Sequence, residues 1–272
     1  MKEITKVEPH FIAYFDILGY KEAIKDNQNI LLRDISKAMD RIEDIVRKVN
    51  LYMSRIYEMS NPNDELELEV IPIGKRVFSD NVLLYAKVTG NDLMKLYHLL
   101  GFITTCGIVQ QECLLRYGLL IRGSITMGDF YQNETFLFGQ SLIRAYELES
   151  SIAVYPRIVI DKPCIDLFSS CNDESSVLLA FNRLKNKAIF NDKDGIAYVN
   201  YLGTGQNNKI EFEDRLERHK EKIVGKIEAV GRTMKELRTS NDKIFYKLSW
   251  IANYHNEFCK KYEMENHSIK EV

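Results

Sequence analysis

Along the chain, runs rich in aromatic and β-branched residues alternate with stretches whose apolar positions recur at helical spacing. Phe11–Leu18 reads as a buried strand carrying an acid, Asp16, near its end, with Gly19 and a helical pattern after it. From Ile30 to Met59 the residues Leu31, Ile35, Met39, Ile42, Ile45, Val49, Met53 and Ile56 share one helical face, which SNPNDE then breaks. Glu67–Phe78 and Val82–Lys87 are β-rich runs around Ser79-Asp80-Asn81, a pattern that predicts a tight hairpin. Asn91 or Asp92 can cap a helix running to about Tyr117. Gly118–Met127 predicts a strand turned by Gly128-Asp129, with Phe130–Phe138 as a short second arm. Gly139 opens a helix to about Ser151, and Arg157–Asp161 and Ile196–Val199 predict further strands. The remainder, roughly Asn207 to Tyr262, is charged and helical with a break near Thr239-Ser240-Asn241.

This order predicts an α+β fold with a ferredoxin-like βαββαβ core: an antiparallel sheet with helices on one face. In such a sheet the first strand lies beside the hairpin, which brings Asp16 and Asp80 to one sheet edge. Two adjacent carboxylates repel unless a positive charge sits between them, and a hard divalent cation with phosphate oxygens is the usual solution. The loop Ile17–Tyr20 leads into a helix N-terminus, where free N–H groups favour phosphate and Gly19 permits close approach. Each piece alone has an ordinary reading, Asp16 as a helix cap and Ser79-Asp80-Asn81 as hairpin chemistry. Their convergence on one edge carries the information.

Composition narrows the classes. With 272 residues, 45% of them apolar, the chain can furnish a real core. Lys+Arg 37 against Asp+Glu 39 gives a net charge of −2, so no whole-chain attraction to nucleic acid or an anionic membrane is expected. No apolar stretch approaches membrane-spanning length, and the start MKEITKVEPH lacks a signal core, which predicts a soluble, cytoplasmic protein. The five cysteines lack zinc spacing; Cys106 and Cys113, like Cys164 and Cys171, fall seven apart and read as reduced thiols. The organisation expected is a core over residues 8–161, its continuation with a helix and short strand over 162–205, and a C-terminal helical extension over 206–272. There Trp250, Tyr254 and Phe258 form an apolar seam with His255 beside it.

FDILGY, VFSDNVLLYAK, LIRGSITMGDFY and FGQSLIRAYELES resemble, in order, the strand-end acid, acid-bearing hairpin, Arg-x-Gly-Ile strand and Gly-initiated helix of the class III nucleotidyl cyclase fold. The resemblance covers about residues 8–161. YPRIVID, DKDGIAYVNYL and KLSWIANYHNEF are similar to segments C-terminal to the core in the pyrimidine (uridylate or cytidylate) cyclases of bacterial Pycsar antiphage systems.

That resemblance implies a lyase converting UTP or CTP to the 3′,5′-cyclic monophosphate and pyrophosphate. Asp16, Asp80 and the backbone of Ile17 would hold two divalent ions, Mn²⁺ or Mg²⁺. It also implies a homodimer with active sites between chains and a separate effector that senses the cyclic nucleotide. At the base, Arg76 and Phe136 occupy the positions where adenylate cyclases have Lys and an acid, which suits a base other than adenine. The helix departs from the purine-cyclase pattern: the Asn and Arg positions are Ile143 and Glu147, with Arg144 and Tyr146 next to them. Arg144 is the candidate catalytic cation; Gly19, Tyr20, Arg76, Arg122 and Phe136 are the candidate nucleotide contacts. Arg122 interrupts an apolar strand and needs an anionic partner, either phosphate or an acid such as Glu147 or Asp129. Two other readings stay open: a cyclase-like nucleotide-binding regulator without turnover, and a purine cyclase with an altered base pocket.

Overall fold

The computed structural model describes residues 6–60, 71–170, 175–204, 209–231, 233–239 and 242–270. Strand β1 (Glu8–Ile17) is followed by helices α1 (Tyr20–Asp40) and α2 (Ile42–Ser60), the hairpin β2 (Gly74–Phe78) and β3 (Asn81–Lys87), and helix α3 (Asp92–Tyr117). Next come β4 (Ile121–Gln132), the short β5 (Leu137–Phe138), α4 (Gln140–Ser151) and β6 (Ile158–Ile160). Helices α5 (Lys162–Ser170) and α6 (Ser176–Ala188) lead to β7 (Ile189–Asn191) and β8 (Ala197–Val199). Helices α7 (Lys209–Ala229), α8 (Met234–Thr239) and α9 (Lys243–Lys261) and a 3₁₀ turn, Glu265–His267, complete the described chain.

The sheet order is β2-β3-β1-β4-β6-β8-β7, with β5 paired to the far end of β4. Its first four strands are antiparallel in the ferredoxin-like order, as the element sequence predicts. Beyond them β6 runs parallel to β4, because α4 carries the chain back across the sheet before the next strand. The expectation of a wholly antiparallel sheet is corrected there.

Strand alternation sorts β1 between two cores. Phe11, Ala13, Phe15 and Ile17 enter the large core beneath α1 to α3, whereas Ile12 and Tyr14 face Leu83, Tyr85, Phe130 and Ala145 of α4. Helices therefore cover both faces, not one. Asp16 continues the Ile12–Tyr14 face.

Other differences have local causes. The apolar stripe from Leu31 to Ile56 belongs to two helices that break at Arg41, and the first begins at Tyr20 with a kink at Asn27. The stripe stays in phase across the break, so periodicity alone conceals it. Only Gly74–Phe78 of the expected Glu67–Phe78 strand is extended in the described residues; 67–70 lie outside them. Gly128-Asp129 does not turn the chain: β4 runs straight through, and a Cβ at Gly128 would come within 3.3 Å of Ser141. The turn falls at Asn133, whose side chain accepts from the N–H groups of Thr135 (2.8 Å) and Phe136 (2.9 Å). Cys106, Cys113, Cys164 and Cys259 are buried free thiols, and Cys171 lies outside the described residues, as do Ser240 and Asn241 of the expected C-terminal break.

The C-terminal helices pack on the core through the expected seam. Trp250 stacks on both Tyr155 and Tyr254, and its indole N–H donates to Asp192 (2.7 Å). His255 is more than a neighbour of that seam: it is fully buried against His219 of α7.

Candidate active site

The backbone brings the two acids together. Asp16 sits opposite Asn81 of β3 and Arg122 of β4. The hairpin turns in two residues, Ser79 with φ 58° and Asp80, so Asn81 belongs to the strand. The N–H of Ile17 donates to the carbonyl of Asp80 at 3.2 Å, which fixes the turn against the end of β1. Gly19 follows at φ 80° and is itself the residue that precedes the helix, with no side chain capping the first turn of α1. Asp16 is therefore paired in the sheet and is not the helix cap. The first N–H groups of α1 stay open to an anion.

Charge at this end of the sheet is unbalanced. Burial raises the Asp16 carboxyl above its ordinary range; Arg122 opposes the rise, and the charge and close approach of Asp80 add to it. The Arg122 guanidinium Nε donates to Asp16 Oδ2 at 3.0 Å and stands 2.7 Å from Oε1 of Glu149 on α4. Nε carries one hydrogen, and it points at Asp16; Glu149 Oε1 is buried without a hydrogen bond. Burial pushes the Glu149 carboxyl up to about 7, with Arg122 opposing and the charges of Asp16 and Asp80 adding. Tyr14 donates to Asn81 Oδ1 at 2.7 Å, and its phenol is raised to about 12 by burial first and by Glu149 and Asp16 next. Lys247 of α9 is also within range of Arg122 and Asp16; burial, then the charge of Arg122, lowers its ammonium group.

The donor set fits a hard divalent cation. Asp16 and Asp80 meet at one end of β1, where the charge of Asp80 adds to the rise in Asp16, a repulsion that a Mg²⁺ or Mn²⁺ ion relieves. Among the described residues no group of three or more His, Cys, Asp or Glu converges on a cation position. Backbone oxygen, with Ile17 the residue next to Asp16, and phosphate oxygens must complete any shell.

The remaining predicted residues fall elsewhere. Arg76 on β2 reaches the β4–β5 turn, donating to the Asn133 carbonyl at 2.9 Å. Phe136 belongs to that same turn, its ring 5.5 Å from that of Tyr131 and 52% exposed. Arg76 and Phe136 are thus brought together, apart from the acids. Tyr20 packs its ring against the core, which leaves its backbone N–H for a ligand. Arg144 makes a two-point ion pair with Asp161 (3.0 and 2.8 Å), and Thr126 donates to the same carboxylate at 2.8 Å. Thr126 lies opposite Ile12, four residues along β1 from Asp16, so a single chain does not bring Arg144 to the acids. It lines a groove of about 660 Å³ with Ile143 and Glu147. Arg122 takes Asp16 and Glu149 as its acids, in place of Glu147 or Asp129.

Sequence reasoning missed Glu149, Tyr14, Asn81 and Lys247. Tyr14 was legible, since it precedes Asp16 by the two-residue strand period; Glu149 joins Ser141 and Ala145 on the buried face of α4 only through the packing of that helix. Lys247 depends on tertiary packing alone.

No family model matches the chain, and no curated protein does. Among solved structures the chain is similar to the monomeric guanylyl cyclase domain of the RhoGC fusion protein from the aquatic fungus Blastocladiella emersonii, at 13% identity and TM-score 0.39 over 72% of this chain and 98% of that one. It is also similar to a class III adenylyl cyclase-like ATP-binding protein from Pseudomonas aeruginosa, at 12% identity and TM-score 0.37 over 65% of this chain and 40% of that one.

Proposed function

We propose that this chain is a nucleotidyl cyclase that converts a pyrimidine nucleoside triphosphate, UTP or CTP, to its 3′,5′-cyclic monophosphate and pyrophosphate. The observation that carries the reading is the meeting of Asp16 and Asp80 at the end of β1, next to the uncapped N-terminus of α1 and beside Arg122. Two neighbouring carboxylates, a free helix N-terminus and a guanidinium form a site for a metal-bound triphosphate. Bound there, two divalent ions would supply charge neutralisation for the phosphates and activation of the ribose 3′-hydroxyl. Asp16, Asp80 and the Ile17 carbonyl hold the cation position, the N–H groups after Gly19 receive phosphate oxygens, and Arg122 adds positive charge as phosphate arrives. Arg76 and Phe136 offer a guanidinium donor and a ring face, which suit the acceptor oxygens and the plane of a pyrimidine.

The chain is read as a homodimer. Phe78, Phe136, Phe138, Ile143 and Tyr146 are exposed apolar side chains on β2, the β4–β5 arm and α4, and a second copy laid over them would bring Arg144 and the base-reading pair to the partner's acids. The proposed setting is the cytoplasm, with the cyclic product signalling phage infection to a separate effector. No helix among the described residues is long and apolar enough to cross a membrane.

A second reading has an observation of its own. Ile143 is 59% exposed and Glu147 is exposed, where purine cyclases have Asn and Arg, and Arg144 is held by Asp161. A nucleotide-binding regulator without turnover accounts for that equally. Incubation with each of the four nucleoside triphosphates and Mn²⁺, with products read by mass spectrometry, separates the two. Cyclic UMP or cyclic CMP with released pyrophosphate supports the proposal, cyclic AMP or GMP alone supports a purine cyclase, and nucleotide binding without product supports the regulator.

A further inference from the structure

Arg122 is contested between two carboxylates. Its single Nε hydrogen goes to Asp16 Oδ2 at 3.0 Å, while Glu149 Oε1, nearer at 2.7 Å, receives none. Glu149 is 3% exposed, and a buried carboxylate oxygen without a donor is costly to keep. The protein therefore holds an acceptor in reserve, one small rotation of the guanidinium away from being satisfied. Asp16 in turn is the acid whose hold on Arg122 weakens when it takes a divalent cation, since a guanidinium and a metal ion on one carboxylate repel each other.

We propose that Glu149 is the positioning residue that receives Arg122 when Asp16 takes up its cation. In the structure Arg122 offsets the repulsion between Asp16 and Asp80. With a cation on Asp16 that role ends, and Arg122 turns its Nε–H to Glu149 Oε1. The guanidinium stays beside the cation position with its outer N–H groups free for the triphosphate, and no positive charge is stranded. Two features of the packing favour this exchange over a larger movement. Arg122 and Asp16 are opposite each other on adjacent strands, and Glu149 stands on the inner face of α4, so neither carboxylate needs to move. Glu149 lowers the cost of displacing Arg122, and the affinity for the cation depends on it although it does not touch the cation.

The inference rests on the proposed cyclase reading for the identity of the cation, and its test reads metal binding without nucleotide. Mn²⁺ affinity is measured on the full chain by the electron paramagnetic resonance signal of free Mn²⁺, for wild type, Glu149→Gln, Arg122→Met and the double variant, with circular dichroism and thermal melts to establish folding. Removal of an outer-shell partner weakens metal binding by about tenfold, and that loss is expected for Glu149→Gln. Arg122→Met, which removes the competitor for Asp16, is expected to bind at least as tightly as wild type. In the Arg122→Met background the added Glu149→Gln change is expected to shift affinity by less than about twofold, because the two residues act through one contact. An equal loss from Glu149→Gln with and without Arg122, or wild-type affinity in Glu149→Gln, overturns the proposal, as does weakened binding in folded Arg122→Met. Failure of wild type to bind Mn²⁺ overturns it together with the cyclase reading. Normal Mn²⁺ coupling with no cyclic product leaves the positioning role standing and removes only the turnover.

Discussion

At the C-terminal junction Tyr201 donates to His219 Nε2 (2.6 Å), His219 shares its Nδ1 with His255 Nδ1 (2.9 Å), and His255 Nε2 faces the His267 carbonyl (3.0 Å). At the end of β1, Asp16 and Glu149 share one guanidinium, with Asp80 beside Asp16 and the Lys247 ammonium within range. The first cluster resolves completely. A carbonyl accepts only, so His255 Nε2 carries its proton, His255 Nδ1 accepts from His219, and His219 Nε2 accepts from Tyr201. Both rings are neutral and every ring nitrogen has a partner. Arg157 nearby is 1% exposed, yet it pairs with Asp192 and Asp194, leaving only its Nε without an acceptor. The second cluster cannot be balanced by the side chains present, and both Asp16 and Glu149 are raised. Buried polarity that closes on itself is architecture. Buried acids left in excess of the cations that face them mark where a cation belongs.

The largest expected effect comes from removing those acids. Asp16→Ala and Asp80→Ala should each abolish cyclic nucleotide formation, a loss of at least about three orders of magnitude, on the scale of losing a charge clamp in phosphoryl transfer. Asp16→Ala should cost no thermal stability, because Arg122 then turns wholly to Glu149. Melting curves run beside the mass-spectrometric assay check both halves, and a folded Asp16→Ala with wild-type turnover would break the contrast.

Arg157→Ala should do the opposite. It strands Asp192, which also accepts from Trp250, and should lower stability by about 3 kcal/mol or more in urea denaturation, with turnover per folded molecule near normal.

The histidine cluster makes the comparison sensitive to pH. Burial lowers the imidazole of His219 well below its usual value, with the charge of His255 adding, and burial lowers His255 as well. Glu217 and Lys220 of α7, His267 and the Cys259 thiol also face this group. Since the unfolded chain binds protons that the folded chain excludes, stability is fully present above about pH 6.5 and falls as pH drops below it, by at most about 1.4 kcal/mol per pH unit for each proton taken up. His219→Gln keeps an acceptor for Tyr201 and a donor for His255 without titrating. Melting temperatures at pH 7.5 and 5.5 should therefore converge in the variant relative to wild type; an unchanged acid sensitivity would remove His219 as its source.

The smallest effect belongs to the exposed ring. Phe136→Ala should leave stability unchanged and weaken substrate binding by about 1–3 kcal/mol, the range for one lost base stack, read as a rise in KM with little change in kcat.

Much of this was legible in residue patterns. The order β2-β3-β1-β4 follows from where the strands and helices fall in sequence, and Asn91 and Gly118 bound α3 with local chemistry that needs no partner. Asp16 and Asp80 could be brought together because strand order alone makes them neighbours. The break at Arg41 was hidden because both helices bury one continuous stripe, and β7 because three residues carry too little periodicity. The partner of Arg122 was missed for a different reason. Counting along α4 gives the acids on that helix, but which of Glu147 and Glu149 turns inward is decided by the helix's rotation on the sheet, fixed by Ala145 and by Ser124 donating to the Ala145 carbonyl at 2.7 Å.

The central claim is that the unmet charge at the end of β1 is a cation site. Crystals grown with Mn²⁺ and a non-cyclisable pyrimidine triphosphate test it most directly, through the anomalous signal of the metal. The account predicts a peak shared by Asp16 and Asp80, with the Nε–H of Arg122 turned to Glu149. A peak elsewhere, or an Arg122 still bonded to Asp16 beside an occupied site, would contradict it.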